Sequence, residues 1–166
     1  MKIAFFEIEP WEAAYVKERL PGYEVWTSQE KLTQETLPKE LDFDAVSVFV
    51  GSKVTKDVLD QLLDIRVLTT RSTGFDHIDL VHAREKGVRV GYVPGYGDNT
   101  VAEFAFGLIL DLAKKIYWGF DRIRETGTFS FDGLQGFDLK GKTIGIVGTG
   151  RIGMYMVKIA HGFDMN

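Results

Sequence analysis

Six residues, Gly148-Thr149-Gly150-Arg151-Ile152-Gly153, have the types and spacing to hold a pyrophosphate. The run before them, Lys142-Thr143-Ile144-Gly145-Ile146-Val147, reads as a buried parallel strand. After them Ile152, Met156, Ile159 and Ala160 recur at helical spacing. Strand, glycine turn and helix in this order give a bare GxGxxG its meaning as a dinucleotide-binding turn. Gly148 permits the tight turn, Gly150 lets backbone approach the phosphates, and Gly153 lets helix and strand pack closely. The free N–H groups at the helix N-terminus, with their partial positive charge, then face the anion. A glycine-rich αβ corner with no ligand is the plainer alternative.

A second constellation, Ser72-Thr73-Gly74-Phe75-Asp76-His77-Ile78-Asp79, directly follows an apolar run that reads as a strand. In an open α/β sheet, ligands bind outside the carboxyl ends of the strands. Consecutive backbone N–H groups there can form a nest for a carboxylate or phosphate. Asp76 and Asp79 also suit plain helix capping, and the two readings are compatible.

The elements that must position these turns alternate along the first hundred residues. Strands are expected at Ile3–Ile8, Tyr23–Trp26, Ala45–Val50, Val67–Arg71 and Val88–Tyr92, with helices around Glu12–Leu20, Leu32–Thr36, Lys56–Leu63 and Asp79–Lys86. Such alternation specifies an α/β fold, a parallel sheet covered on both faces. The expected form is a five-stranded, flavodoxin-like doubly wound sheet. Ala45–Val50, apolar apart from Ser47, fits its central strand. After Pro94 the pattern changes. Thr100-Val101-Ala102-Glu103 reads as a capping box, followed by an apolar stripe of Val101, Phe104, Ala105, Leu108, Ile109, Leu112 and Ile116. This predicts one helix of roughly 25 residues, about 37 Å long. Gly127–Leu139 is an expected surface connection, and a second sheet is expected to open at Thr143.

Composition narrows the function classes. With 45% hydrophobic and 27% charged residues the chain is an ordinary globular one. Its net charge of −4, without a basic block, argues against nucleic acid or acidic membrane as the main partner. The absence of cysteine removes disulfides and thiolate chemistry. The N-terminal residues lack the long apolar stretch of a signal peptide, so a cytoplasmic location is the default expectation.

Three stretches in order then resemble one family: Thr70 to Leu80, Val93-Pro94-Gly95-Tyr96 leading to Val101-Ala102-Glu103, and Leu139 through Gly153. Over essentially its whole length the chain resembles the N-terminal half of a D-isomer-specific 2-hydroxyacid dehydrogenase, most nearly the D-lactate dehydrogenase branch. The resemblance implies a substrate domain over residues 1–99, followed at 100–166 by the long helix and the first βα unit of an incomplete Rossmann domain that binds NAD. It implies that the Thr73 and Gly74 amides hold the substrate carboxylate, that Tyr96 lines the substrate pocket, and, on a looser alignment, that Phe49 does too. Thr100 matches a cofactor-contacting position, and Gly148, Gly150, Arg151, Ile152 and Gly153 match the pyrophosphate turn. Phe49 as core and Thr100 as a cap are the structural alternatives. A small 2-hydroxy or 2-keto acid is the implied partner, D-lactate and pyruvate the favoured pair, and a homodimer through residues 100–166 the implied assembly.

The family's catalytic arginine, glutamate and histidine fall beyond Asn166, and no catalytic residue is assigned in this chain. His77, His82 and His161 read as surface or packing histidines. The acidic residue that selects NAD over NADP, expected about 20 residues after the fingerprint, is also outside the sequence. Asp164 stands where the family usually has glycine. The 166 residues alone are therefore expected to be inactive. A non-catalytic truncated product, or a binding or dimerisation module of the same family, is the alternative. The downstream gene sequence separates the two. A phosphoacceptor receiver domain is excluded because its aspartate position, after the third strand, reads Val50-Gly51-Ser52.

Overall fold

The computed structural model describes residues 1–166, which divide into two compact units, Met1–Tyr96 and Gly97–Asn166. In the first, strands β1 (Lys2–Phe5), β2 (Glu24–Thr27), β3 (Ala45–Val48), β4 (Val67–Thr70) and β5 (Arg89–Gly91) form one parallel sheet in the order β2-β1-β3-β4-β5. That is the flavodoxin-like order. Helices α1 (Pro10–Arg19), α2 (Lys56–Gln61) and α3 (Leu80–Glu85) are its crossovers. Phe6, Phe43, Val46, Val48, Val58, Leu59 and Leu68 are buried in the core. Trp26 closes it, with ring centroids 5.1 Å from Phe6 and 5.4 Å from Phe43. Each such large side chain contributes roughly 1.5–3 kcal/mol by leaving water.

Most of the elements are shorter than the sequence pattern predicts, for identifiable reasons. β1 stops before Glu7, whose φ of +51° leaves the extended region. The expected helix at Leu32–Thr36 is only a 3₁₀ turn, Gln34–Thr36. Leu32 is fully buried, its N–H donates to Ser52 Oγ and its carbonyl accepts from Lys53 N–H, so it cannot join a helical ladder. α1 begins at Pro10, a ring whose fixed φ suits a first helical turn.

In the second unit the expected single long helix is two: α4 (Asp98–Lys114) and α5 (Ile116–Thr126), separated by Lys115 in the left-handed region at φ +58°. The Ala113 carbonyl, which a continuous helix would bond to Tyr117 N–H, accepts instead from Phe137 N–H at 2.9 Å. Tyr117 N–H turns to Asp111 Oδ1 at 2.7 Å. The capping box at Thr100 is also absent. The helix starts at Asp98 behind Gly97, which places Thr100 inside the first turn. Helix α6 (Arg151–Gly162) packs on α4 through Phe106, Ala113, Leu139 and Ala160. The expected strand at Thr143–Val147 forms no ladder; within it only Ile144 pairs, its N–H donating to the Asn166 carbonyl at 2.9 Å. No helix is long and apolar enough to cross a membrane.

Candidate functional site

At the carboxyl end of the first unit's sheet, Glu7 and Arg71 follow β1 and β4 with opposite charges. The Glu7 carboxylate accepts from the N–H groups of Phe49 (3.1 Å), Gly51 (2.8 Å) and Ser52 (2.9 Å), and from Ser52 Oγ (2.5 Å). Hydrogen bonds to a charged group are worth roughly 1.5–3 kcal/mol each, and a left-handed residue costs roughly 1–2 kcal/mol. The four bonds therefore outweigh the strained backbone that aims them. Arg71 answers from the other side. Its Nη2 donates to the carbonyls of Phe6 (2.8 Å) and Glu7 (2.7 Å), and its Nη1 to Ser47 Oγ (3.2 Å). Burial lowers the guanidinium from its usual value, opposed by the charges of Glu12 and Glu7.

These two residues, with Glu9, Glu12, Phe49 and Tyr96, line a cleft of about 370 Å³. Phe49 is half-buried and stands against Arg71, whose guanidinium carbon is 5.8 Å from the ring centroid. Phe49 and Tyr96, predicted separately, thus share one cavity. Thr73 and Gly74 lie on the loop that continues from Arg71 and do not line that cavity. Both are exposed, and neither N–H donates to a backbone carbonyl. The Thr73 hydroxyl is taken up by the Val93 carbonyl at 2.9 Å, which leaves the backbone as the loop's donor. Asp79 is a helix cap, accepting from His82 N–H at 2.9 Å. His82 pairs with Asp60 at 2.7 Å, His161 is exposed, and His77 turns its ring to Thr70 Oγ1. A larger cleft of about 550 Å³, along Val50–Thr55 and Asp76–Asp79, contains none of the residues assigned to substrate.

In the second unit the glycine turn has three different local reasons. Gly148 has φ +96°, which favours glycine. A Cβ on Gly153 would overlap the Gly148 carbonyl and come within 3.6 Å of Ile146 Cγ2. Around Gly150 there is open space, so nothing within the chain forbids a side chain there. A backbone cradle left clear at the N-terminus of a twelve-residue helix fits a pyrophosphate. Arg151 lies at that terminus with Nε 2.7 Å from Asp98 Oδ2, an ion pair that joins the starts of α6 and α4. Ile152 is largely exposed, and Thr100 is exposed in the first turn of α4.

Sequence reasoning missed Glu7, Arg71 and Asp98. A charged residue closing an apolar strand was the available signal for the first two. No local signal marks Asp98, a nearly buried carboxylate whose partner lies 53 positions away by sequence number (151 − 98).

The family model for the catalytic domain of D-isomer specific 2-hydroxyacid dehydrogenases matches residues 3–159. The 2-hydroxyacid dehydrogenase A of Aspergillus oryzae is 38% identical over 98% of this chain and 49% of its own length. The D-lactate dehydrogenase of Escherichia coli is 34% identical over 99% of the chain and 51% of its own length. The crystal structure of Aquifex aeolicus D-lactate dehydrogenase, complexed with NAD and lactic acid, superposes with a TM-score of 0.88 at 30% identity, covering 98% of this chain and 49% of that one. The chain thus spans about half the length of the relatives it matches. With the family model matched over residues 3–159 and relatives at least 30% identical over nearly the whole chain, the chain belongs to the D-isomer-specific 2-hydroxyacid dehydrogenase family.

Proposed function

We propose that this chain is the substrate-holding part of an NAD-dependent D-2-hydroxyacid dehydrogenase together with the opening of its dinucleotide-binding domain. Residues 1–99 hold the acid and residues 100–166 begin the cofactor site. The observation that carries this reading is the exposed Thr73–Gly74 loop, its N–H groups unclaimed by backbone carbonyls, at the carboxyl end of a parallel sheet. There the two amides hold the substrate carboxylate, and Tyr96 and Phe49 bound the space for its side chain. A bound nicotinamide supplies or accepts the hydride. Gly148, Gly150, Arg151, Ile152 and Gly153 hold its pyrophosphate, and Thr100 adds a contact.

D-lactate and pyruvate are the favoured pair. The cleft's only cation, Arg71, is spent on carbonyls and Ser47, whereas Glu7, Glu9 and Glu12 bring three carboxylates to the same wall. A second carboxylate on the substrate is repelled there, and a small neutral side chain is not.

The 166 residues alone do not turn over substrate. Reduction of a 2-keto acid needs a placed proton donor, worth roughly 10²–10⁴-fold. No histidine lines the cleft, and the Glu7 carboxylate is taken up by the four hydrogen bonds it accepts. Two measurements test the reading. ¹H–¹⁵N spectra of the labelled chain during pyruvate titration should show the Thr73 and Gly74 amides shifting first. NADH absorbance in the presence of pyruvate should stay flat. Turnover abolished by a Gly150 or Tyr96 substitution would overturn the assignment of an inactive part.

A further inference from the structure

The polar core beneath the Thr73–Gly74 loop has a determined hydrogen-bond direction. Ser72 Oγ lies 2.7 Å from the Gly74 carbonyl, an atom that can only accept, so the single serine proton goes there. Thr70 Oγ1 lies 2.6 Å from Ser72 Oγ and must donate to it. With its proton used, Thr70 Oγ1 can only accept from the ring nitrogen 3.1 Å away, His77 Nε2. Thr70 and Ser72 are 0% and 2% exposed, so water does not offer either hydroxyl an alternative partner. The chain of donors therefore runs His77 Nε2–H, Thr70, Ser72, Gly74 carbonyl, and it requires the proton on Nε2.

The far end of this relay holds a peptide plane. All peptide bonds in the chain are trans, and across a trans peptide the N–H points opposite to the C=O. Holding the Gly74 carbonyl inward against Ser72 therefore turns the Phe75 N–H outward. Like those of Thr73 and Gly74, the Phe75 N–H donates to no backbone carbonyl. We infer that His77 is a positioning residue: through Thr70 and Ser72 it locks the Gly74–Phe75 peptide so that three consecutive amides, Thr73, Gly74 and Phe75, face the carboxylate of a 2-hydroxy or 2-keto acid. This rests on the carboxylate-binding reading given above and adds to it a third donor and the residue that sets it. His77 touches no substrate atom. It acts by fixing the donor sense of two buried hydroxyls, either of which could otherwise rotate and release the carbonyl.

The test uses the ¹⁵N-labelled chain. Long-range ¹H–¹⁵N spectra at about pH 8, where an unperturbed imidazole is neutral, should show His77 protonated on Nε2. A proton on Nδ1, or an equal mixture of tautomers, overturns the relay. Pyruvate titration should shift the Phe75 amide together with Thr73 and Gly74. His77→Phe, which fills the space and donates nothing, should weaken binding by roughly tenfold, the scale of one lost hydrogen bond. His77→Gln, which can present an N–H in place of Nε2, should restore most of it. Equal binding by H77F and the parent, with both folded by circular dichroism, overturns the positioning role. So does loss of binding in H77Q as deep as in H77F. Pyruvate that leaves Thr73 and Gly74 unmoved in the parent overturns the carboxylate reading itself. The imidazole nitrogens tell that failure apart from failure of the relay, because they report on His77 without any ligand.

Discussion

At the residue scale, the carboxyl end of the sheet is held by two charges that exchange backbone partners. Glu7 collects the amides of the β3 loop, and Arg71 collects the carbonyls that end β1. Gly51 is the position most sensitive to this arrangement. A Cβ there would overlap Glu7 Oε1 and meet Lys31 Cε at 2.8 Å. Gly51→Ala should cost about 1–3 kcal/mol, the usual scale of overpacking, read as a lower urea midpoint. An unchanged midpoint would show that the carboxylate can leave its amides freely. Arg71→Lys keeps the charge but loses the fork that reaches two carbonyls and a hydroxyl at once. A loss of about 1–3 kcal/mol is expected, with a change in Tyr96 and Phe49 ring resonances that a distant core mutant of equal cost does not produce. The glycine turn was legible because Gly148 and Gly153 answer local demands of dihedral angle and close packing. Glu7 and Arg71 were not, because their partners lie up to 65 positions away by sequence number and exist only once the strands are in order. Asp164 is an instructive case between the two. Its departure from the family's glycine was visible, and its φ of +54° shows what the glycine serves. Asp is among the few residues that accept this region. Asp164→Gly should leave stability unchanged or raise it by up to about 1 kcal/mol, and a loss of more than that would give the Lys140–Asp164 pair a weight its exposure does not suggest.

At the element scale, alternation of strand and helix patterns was enough for the parallel sheet, since the apolar runs of its central strands β3 and β4 are buried where the period predicts. What the pattern could not show is competition for backbone partners. Nothing between Leu112 and Trp118 breaks helical periodicity, yet the returning Gly136–Phe137 segment takes the Ala113 carbonyl and the helix ends there. A Cβ on Gly136 would overlap that carbonyl, so the approach requires glycine. The α2–α3 contact has a pH signature. Asp60 on α2 accepts from Lys56 (2.8 Å) and from His82 of α3 (2.7 Å), and these bonds, Lys56 first, hold its carboxyl well below the usual aspartate range. A carboxyl depressed in the folded state contributes stability that is fully present above its unfolded value, near 3.9, and is lost as pH falls toward the folded value. Melting temperature should therefore be insensitive to Asp60 protonation at neutral pH and decline below about pH 4. Asp60→Asn should make that acid decline shallower while lowering stability at pH 7. Parallel pH curves for parent and D60N would show that the Asp60 bonds contribute nothing in solution.

At the scale of the whole molecule, the second unit leaves much apolar surface outside its own core. The sequence predicts one apolar face on α4, but the helix is apolar on two. Ala102, Phe106 and Ala113 are buried, whereas Phe104 and Leu112 are each 70% exposed, with Val101 and Leu108 about half exposed beside them. On α5, Tyr117, Trp118, Phe120 and Ile123 are also open, and Val147 is fully exposed. Scattered exposed apolar residues are ordinary, but several on successive turns of one helix form the kind of patch that marks an interaction surface or an aggregation risk. The Thr143–Val147 segment, which forms no ladder, adds backbone groups that can join one. We predict a homodimer, in which one symmetric contact packs residues 100–166 on the same residues of the partner. A contact of that kind normally buries roughly 1,200–2,000 Å². Light scattering at micromolar concentration should give twice the 18.7 kDa chain mass. Phe104→Glu combined with Leu112→Glu puts two charges in the centre of the patch without touching Phe106 or Ala113. It should return the monomer and leave the circular dichroism unchanged. A monomer mass for the parent chain, with residues 143–166 resistant to protease, would mean that these faces find their cover within one chain and that no partner copy is needed.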